Sequence, residues 1–201
     1  PVRAKAEGRD TGLPPEVAAL FPSEIVEVDG REVPSGWRYC RISDVVRINE
    51  KSIDQNYPHS TIEYIEISSV TEGKLESVTV TNRHDAPSRA QRLVNHGDTI
   101  WSGVRPNRKS YLFIQKPNEN LVVSTGFITL SPKKIFPSYL YSWVTTELFV
   151  DYLTANADGS AYPAVRAEHF GDAEILLPAQ SILEQFEKIV APMRAKIHYN
   201  D

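Results

Sequence analysis

The sequence predicts an α+β fold: a curled, mostly antiparallel β-sheet with packed helices, followed by the start of a long, coiled-coil-like helix. Three observations predict it. Between residues 37 and 130, short runs rich in Ile, Val, Thr and Tyr alternate with Gly, Asn and Pro turn signals, the pattern of many short strands. After Pro137 the apolar residues recur three or four apart, which is the helical period. From Ile182 through Phe186, Ile189 and Met193 to Ile197 the spacings are four, three, four and four, those of a coiled-coil seam.

Residues 1–36 read as a linker, because Gly8, Gly12, Pro14, Pro15, Pro22, Gly30, Pro34 and Gly36 break any long element. Pro15 to Phe21 has room for one helical turn. The folded domain is assigned to residues 37–178. Within it Thr61–Val70 and Lys74–Thr81 read as strands around a Glu72-Gly73 turn. Ala90–Val94 and Thr99–Val104 read as a hairpin about His96-Gly97-Asp98. Tyr111–Gln115, Leu121–Ser124 and Phe127–Leu130 give three further strands. Ser138 is placed to cap a helix running to Ala155, whose face carries Leu140, Trp143, Val144, Leu148 and Tyr152. A turn-rich loop, 158–163, precedes a short helix at Arg166–Phe170 and a strand at Ala173–Leu177. Residues 179–201 read as the start of the final helix, with Ser181 and Glu184 as a capping box and Pro192 as a kink or interruption.

At 201 residues, 41% hydrophobic and 24% charged, the chain suits one mid-sized domain. No apolar run approaches the roughly 18 residues of a membrane span, and no secretory signal opens the chain. Cys40 is the single cysteine, which excludes an internal disulfide and suits a reducing cytoplasm; it reads as a small, half-buried strand residue. The chain opens on Pro1 and its one Met is Met193, so it reads as part of a longer protein. The net charge of −4 argues against nucleic acid, but its distribution argues for it. Arg83, Arg89, Arg92, Arg105, Arg108 and Lys109, against Asp85 and Asp98, make residues 83–109 net +4. A basic stretch on an acidic body fits an anionic ligand at one face; a solvated charge cluster is the alternative.

Catalytic signatures are absent. The chain has no glycine-rich dinucleotide or phosphate loop, no Cys-x-x-Cys, no His-Glu-x-x-His and no nucleophile elbow. Its five histidines are dispersed, so no metal site is expected. Glu72-Gly73-Lys74 has the Glu-x-Lys spacing of a metal-dependent nuclease, but reads more simply as a turn. An amino-methyltransferase would need a glycine-rich cofactor loop and an Asn-Pro-Pro-aromatic tetrapeptide, and neither occurs.

The window from Ala86 to Tyr111 carries a resemblance. Gly97-Asp98 opens a strand ending at Ser102, and Val104-Arg105-Pro106-Asn107 follow. Gly159-Ser160, Val165, Ile175-Leu176-Leu177-Pro178 and Glu184-Gln185 form a second motif; Pro1–Gly8 with Leu13-Pro14-Pro15-Glu16 and Ala18–Pro22 form a third. In this order they resemble the second target-recognition domain of type I restriction-modification specificity subunits. The resemblance implies that residues 1–36 link from a preceding conserved helix and that 179–201 begin the next. Such a tandem subunit also accounts for Pro1-Val2-Arg3-Ala4-Lys5 recurring as Pro192-Met193-Arg194-Ala195-Lys196. It implies further that the domain, itself non-catalytic, reads one half of a split site in double-stranded DNA. Methyltransferase subunits, docked on the conserved helices through Ile182, Phe186, Ile189, Met193 and Ile197, would methylate adenine. Restriction subunits would join for cleavage. This chain would hold no cofactor; S-adenosylmethionine, ATP and Mg are expected on the partner subunits.

The residues expected to touch DNA follow from the chemistry of readout. Phosphate contacts give affinity and register, base-edge contacts give specificity. Arg105, Asn107, Arg108 and Lys109 lie beyond a strand end; Arg can pair with guanine and Asn with adenine through two hydrogen bonds each. Arg89 and Arg92 flank the expected hairpin as phosphate contacts. Ser160 and Tyr162 offer hydroxyls and an aromatic edge, and Lys74, Arg83 and His84 are weaker candidates. Two other functions are kept as alternatives: a half-size specificity subunit that homodimerises through the Ile182–Ile197 helix to read a symmetric site, and a metal-dependent nuclease that uses the Glu72/Lys74 region.

Overall fold

The fold is α+β with mostly antiparallel strands and a final long helix, as the sequence predicts, and the strands divide into two four-stranded sheets and two small pairs. The computed structural model describes residues 1–159 and 161–200, with only the backbone of 198–200. The elements run α1 (Val2–Ala6), α2 (Pro15–Ala18), β1 (Ile25–Val28), β2 (Arg31–Pro34), β3 (Arg38–Arg41), α3 (Ile42–Val45), β4 (Val46–Ile48), β5 (Thr61–Ile65) and β6 (Thr79–Asn82). They continue with β7 (Ala90–Leu93), β8 (Thr99–Ser102), β9 (Tyr111–Phe113), β10 (Leu121–Ser124), β11 (Phe127–Pro132), α4 (Pro137–Val144), α5 (Glu147–Ala155), α6 (Ala167–Asp172), β12 (Glu174–Leu177) and α7 (Gln180–Asn200).

One sheet has the order β6-β5-β10-β7 and the other β4-β11-β8-β9. The pairing is antiparallel except between β5 and β10, where Glu63 faces Leu121. The second sheet lies in the middle of the domain. Trp101, Ile128 and Leu130 pack with Leu140, Val144, Phe149, Leu153 and Phe170 of the helices. On its other face Ile100 and Phe127 meet Ile65, Leu121 and Val123 of the first sheet. Alternation therefore buries both sides of β8, whose four residues are all buried, because a middle layer has no solvent face.

The expected hairpin between Ala90 and Val104 is not formed. β7 pairs with β10, whereas β8 pairs with β11 and β9. His96-Gly97-Asp98 instead carries the chain from one sheet to the other. Gly97 has φ +88°, and a Cβ there would sit 2.9 Å from Pro137 Cγ. The buried Asp98 carboxylate accepts the Asn95 N–H at 2.7 Å. These contacts explain the Gly-Asp pair: the turn needs a left-handed residue without a side chain, then an acceptor for the Asn95 N–H.

Other boundaries shift for local reasons. The expected Thr61–Val70 strand ends at Ile65 and enters a 3-10 turn at Ile67–Ser69, and Lys74–Thr81 pairs as a strand only from Thr79. The helix expected from Ser138 to Ala155 is two helices. Pro137, not Ser138, opens the first, and Thr146 caps the second by accepting the Phe149 N–H at 3.3 Å. Ser181 lies inside α7 rather than at its cap, and Glu184 accepts from the Gln180 amide at 3.2 Å. Pro192 neither ends nor interrupts α7. Cys40, on β3, is half-buried, and that burial pushes its thiol pKa up.

Residues 1–36 are more structured than a linker. Asp29 and Gly30, at φ +50° and +73°, turn a β1–β2 hairpin, as the positive-φ positions of a tight hairpin turn require. Arg31 of this hairpin makes two bonds to Glu174, at 2.6 and 2.9 Å, and lies over the Tyr39 ring. The hairpin thus rests on the β3–β12 pair, which joins the domain's two ends through Cys40 opposite Ile175.

The seam expected on α7 divides. Ile182 is buried, and Phe186 stands edge-on to Tyr139 at 5.7 Å, so the first turns pack on the helix's own domain. Ile189, Met193 and Ile197 are 45%, 57% and 62% exposed.

Asp98 yields a pH prediction. Its pKa is raised above the ordinary carboxylate value, first by desolvation on burial. A carboxyl whose pKa is higher folded than unfolded is more protonated in the folded state. Its contribution to stability is therefore full below the unfolded value and is lost as pH rises through the folded one. Urea midpoints from pH 4 upward are expected to show this decline in the parent and not in Asp98→Asn. Equal slopes in the two proteins contradict it.

Candidate nucleic-acid interface

Two distant loops meet at the end of β8. Ser102 Oγ donates to the Val104 carbonyl at 2.9 Å and accepts the Val104 N–H at 3.1 Å. Gly103 accepts the Val165 N–H at 2.7 Å, Arg105 N–H donates to Pro163 O at 2.7 Å, and Val104 bridges Ala164. Asp158 and Ala164 exchange both backbone bonds at 2.9 Å, which joins the ends of the second loop, the one that carries Tyr162. Arg105 takes a left-handed conformation, φ +50°, and a 3-10 turn at Pro106–Arg108 returns the chain to β9.

The result is a cleft of about 730 Å³ whose lining includes Arg89, Arg105, Arg108 and Tyr162. Ser68 and Thr71, from the loop after β5, add hydroxyls, and Glu66 is the lining carboxylate. The Arg105 guanidinium lies over the Tyr162 ring, 4.5 Å from its centroid, and Tyr162 is 61% exposed. Among the described residues no ion pair engages Arg89, Arg105 or Arg108. Asn107 is exposed on the same turn.

The other expected contacts are turned elsewhere. Lys109 bonds Glu147 at 2.5 Å and faces Glu72 at 3.7 Å, so it ties the turn to α5; Glu147 holds its ammonium pKa above the usual value. Arg83 donates to the carbonyls of Asp54 at 2.7 Å and Tyr57 at 3.2 Å, clamping the preceding loop. Arg92 is half-buried on β7 with Ser52 at 3.4 Å, and burial lowers its pKa. Lys74 lines a separate cleft of about 880 Å³ with Arg194 and Ile197. His84 pairs with its neighbour Asp85 at 2.7 Å. Ser160 lies outside the described residues. The Glu72-Gly73-Lys74 segment is a turn closed by reciprocal Thr71–Lys74 backbone bonds, and Glu72 also receives the Tyr111 hydroxyl at 3.5 Å. Among the described residues no three His, Cys, Asp or Glu side chains gather to hold a metal, and no helix is long and apolar enough to cross a membrane.

Sequence reasoning missed Ser68, Thr71 and Glu66. Nothing local marks them, since only the pairing of β5 with β10 carries that loop to the cleft. The Gly103 junction offers a test of how the loops are held. A Cβ there would stand 3.0 Å from the Val165 carbonyl oxygen, a backbone atom that cannot swing aside. Gly103→Ala is expected to cost about 1–3 kcal/mol of stability, as overpacking does, and to weaken DNA binding by parting Tyr162 from Arg105. Denaturant unfolding and a binding titration check both effects.

A family model described as the type I restriction modification DNA specificity domain matches residues 34–197. The chain is 26% identical over 173 residues to the type I restriction enzyme HindI specificity subunit of Haemophilus influenzae, covering 83% of this chain and 37% of that protein. A solved structure concerned with complex assembly and conformational transition of the type I R-M system superposes with a TM-score of 0.70 and 27% identity, over 84% of this chain and 44% of that one. The HsdS subunit from Thermoanaerobacter tengcongensis gives 0.68 and 25%, over 85% and 44%. The chain thus spans less than half the length of each of these relatives.

Proposed function

Because the chain belongs to the type I restriction modification DNA specificity domain family, we propose that it reads one half of a bipartite double-stranded DNA target. It supplies recognition and no chemistry of its own. The observation that carries this reading is the convergence of Arg89, Arg105 and Arg108, which have no ion-pair partner among the described residues, on one cleft beside Tyr162. Elsewhere in the basic stretch Arg83 and Lys109 are bound to protein oxygens. Free guanidiniums at a cleft can exchange condensed counterions for phosphates, which supplies affinity, and can reach base edges, which supplies specificity. Arg89, Arg105, Asn107, Arg108 and Tyr162 form the proposed DNA-contacting set.

Methylation of adenine, with S-adenosylmethionine, and cleavage belong on this reading to methyltransferase and restriction subunits. The exposed Ile189, Met193 and Ile197 of α7 support a helical partner for that face. The test exchanges residues 37–178 for the matching domain of a relative with a different target, within the complete subunit. Methylation-site mapping of the assembled methyltransferase is then expected to change at one half-site only. An unchanged target, in a complex that still methylates, refutes the proposal.

The same exposed face favours a second reading, a half-size subunit whose two copies pair through α7 to read a symmetric site. Light scattering on the native gene product bound to its methyltransferase separates them. One copy per complex supports the bipartite reader, and two copies support the symmetric one.

A further inference from the structure

The three free arginines of the cleft differ in how firmly they are held. Arg89 and Arg108 are exposed, and no side-chain hydrogen bond or ring contact fixes either among the described residues. Arg105 is half-buried and held at every level. Its backbone sits at φ +50°, a conformation that a branched or bulky residue rarely adopts. That conformation is locked by Arg105 N–H on Pro163 O at 2.7 Å and by Arg108 N–H on Arg105 O at 2.9 Å. Its guanidinium is laid against the Tyr162 ring.

The contact with the ring has a consequence for the donors. A cation–π contact engages the face of the ring and occupies no oxygen acceptor, so the five N–H groups of the guanidinium stay available as donors. An arginine held over a ring is positioned while its fork of donors stays unspent. A salt bridge would have consumed them. Base-edge readout requires such a fork, because two hydrogen bonds must meet guanine O6 and N7 together. A phosphate contact tolerates a mobile side chain, since a diffuse charge is neutralised from many positions.

We infer that Arg105, set by Tyr162, is the base-reading residue of this cleft and takes a guanine, while Arg89 and Arg108 neutralise backbone phosphates. Tyr162 is a positioning residue in this scheme. The inference rests on the proposal that the cleft binds DNA.

The test uses the complete specificity subunit in its methyltransferase complex. The probe is a duplex carrying the mapped methylation site, together with every single-base-pair variant of this domain's half-site. Affinity is measured for each duplex across a range of salt concentrations. Arg105→Ala and Arg105→Lys are both expected to remove roughly ten- to hundredfold discrimination at one G·C pair. The lysine variant keeps the charge but lacks the fork, so it separates geometry from electrostatics. Tyr162→Ala is expected to flatten the same base pair, and Tyr162→Phe, which keeps the ring, to retain what Tyr162→Ala loses. Arg89→Ala and Arg108→Ala are expected to weaken all duplexes alike, each lowering the salt slope by about one.

The division of roles is overturned if Arg105→Lys keeps full discrimination, if Arg108→Ala abolishes it, or if Tyr162→Ala leaves every base preference intact. Those results leave DNA binding at the cleft standing. If no variant at Arg89, Arg105 or Arg108 alters affinity for any duplex, the cleft is not the DNA interface, and the underlying proposal falls with the inference.

Discussion

The Arg105→Ala/Arg108→Ala double variant is expected to bind its cognate duplex more weakly by about 3 kcal/mol, on the order of a hundredfold. One fixed fork and one phosphate contact are lost together. The fold is expected to tolerate the change. Neither guanidinium is ion-paired among the described residues, and the contact forfeited inside the protein is the cation–π contact with Tyr162, worth about 0.5–1 kcal/mol at an exposed ring. The loss in binding therefore exceeds the loss in stability severalfold. A binding titration at fixed salt, beside a urea unfolding curve, reads both. Unchanged binding with an intact fold sinks the assignment of this cleft to DNA.

Trp101→Ala is expected to have the largest effect on stability, about 3–5 kcal/mol. Trp101 is 0% exposed and lies where the middle sheet meets the helices. Its ring sits 5.1 Å from Tyr111, 6.4 Å from Phe149 and 6.2 Å from Phe170. Its indole N–H donates to the Val144 carbonyl at 2.9 Å, fixing the end of α4. Truncation leaves a cavity among aromatic rings too rigid to collapse, together with an unpaired buried carbonyl. Against a typical total of about 5–15 kcal/mol, that is a large share. DNA binding is expected to fail through unfolding, with a lowered urea midpoint, opposite in cause to the arginine variants. A midpoint within about 1 kcal/mol of the parent contradicts this account of the core.

The two variants expose a difference in what was legible. Trp101 is one apolar residue in a strand-like run, and no local signal marks it as the centre of the core. Its burial follows from β8 lying between β11 and β9, with helices on one face and a second sheet on the other. Arg105 and Arg108 were legible as a basic turn beyond a strand end, since charge and turn chemistry are written in consecutive residues. Lys109, one residue further on, was not separable from them. The left-handed turn points it at Glu147, 38 residues away. The Asp29-Gly30 hairpin was legible in its turn residues, but the surrounding glycines and prolines outweighed them.

Period, turn chemistry and charge act over a few neighbouring residues, so the sequence alone established the strand-rich body, the helical tail, the Gly97-Asp98 turn and the basic stretch. Family resemblance came from the same source, being carried by short ordered motifs. Pairing between residues far apart in the chain has no such local signature. Tertiary structure alone decided that the strands form two layered sheets and that Gly103 binds Val165. It also decided which cations of the basic stretch remain free. Contacts of that kind depend on which groups the completed fold brings within reach, and a carboxylate from a distant helix decides whether a lysine is a staple or a free charge.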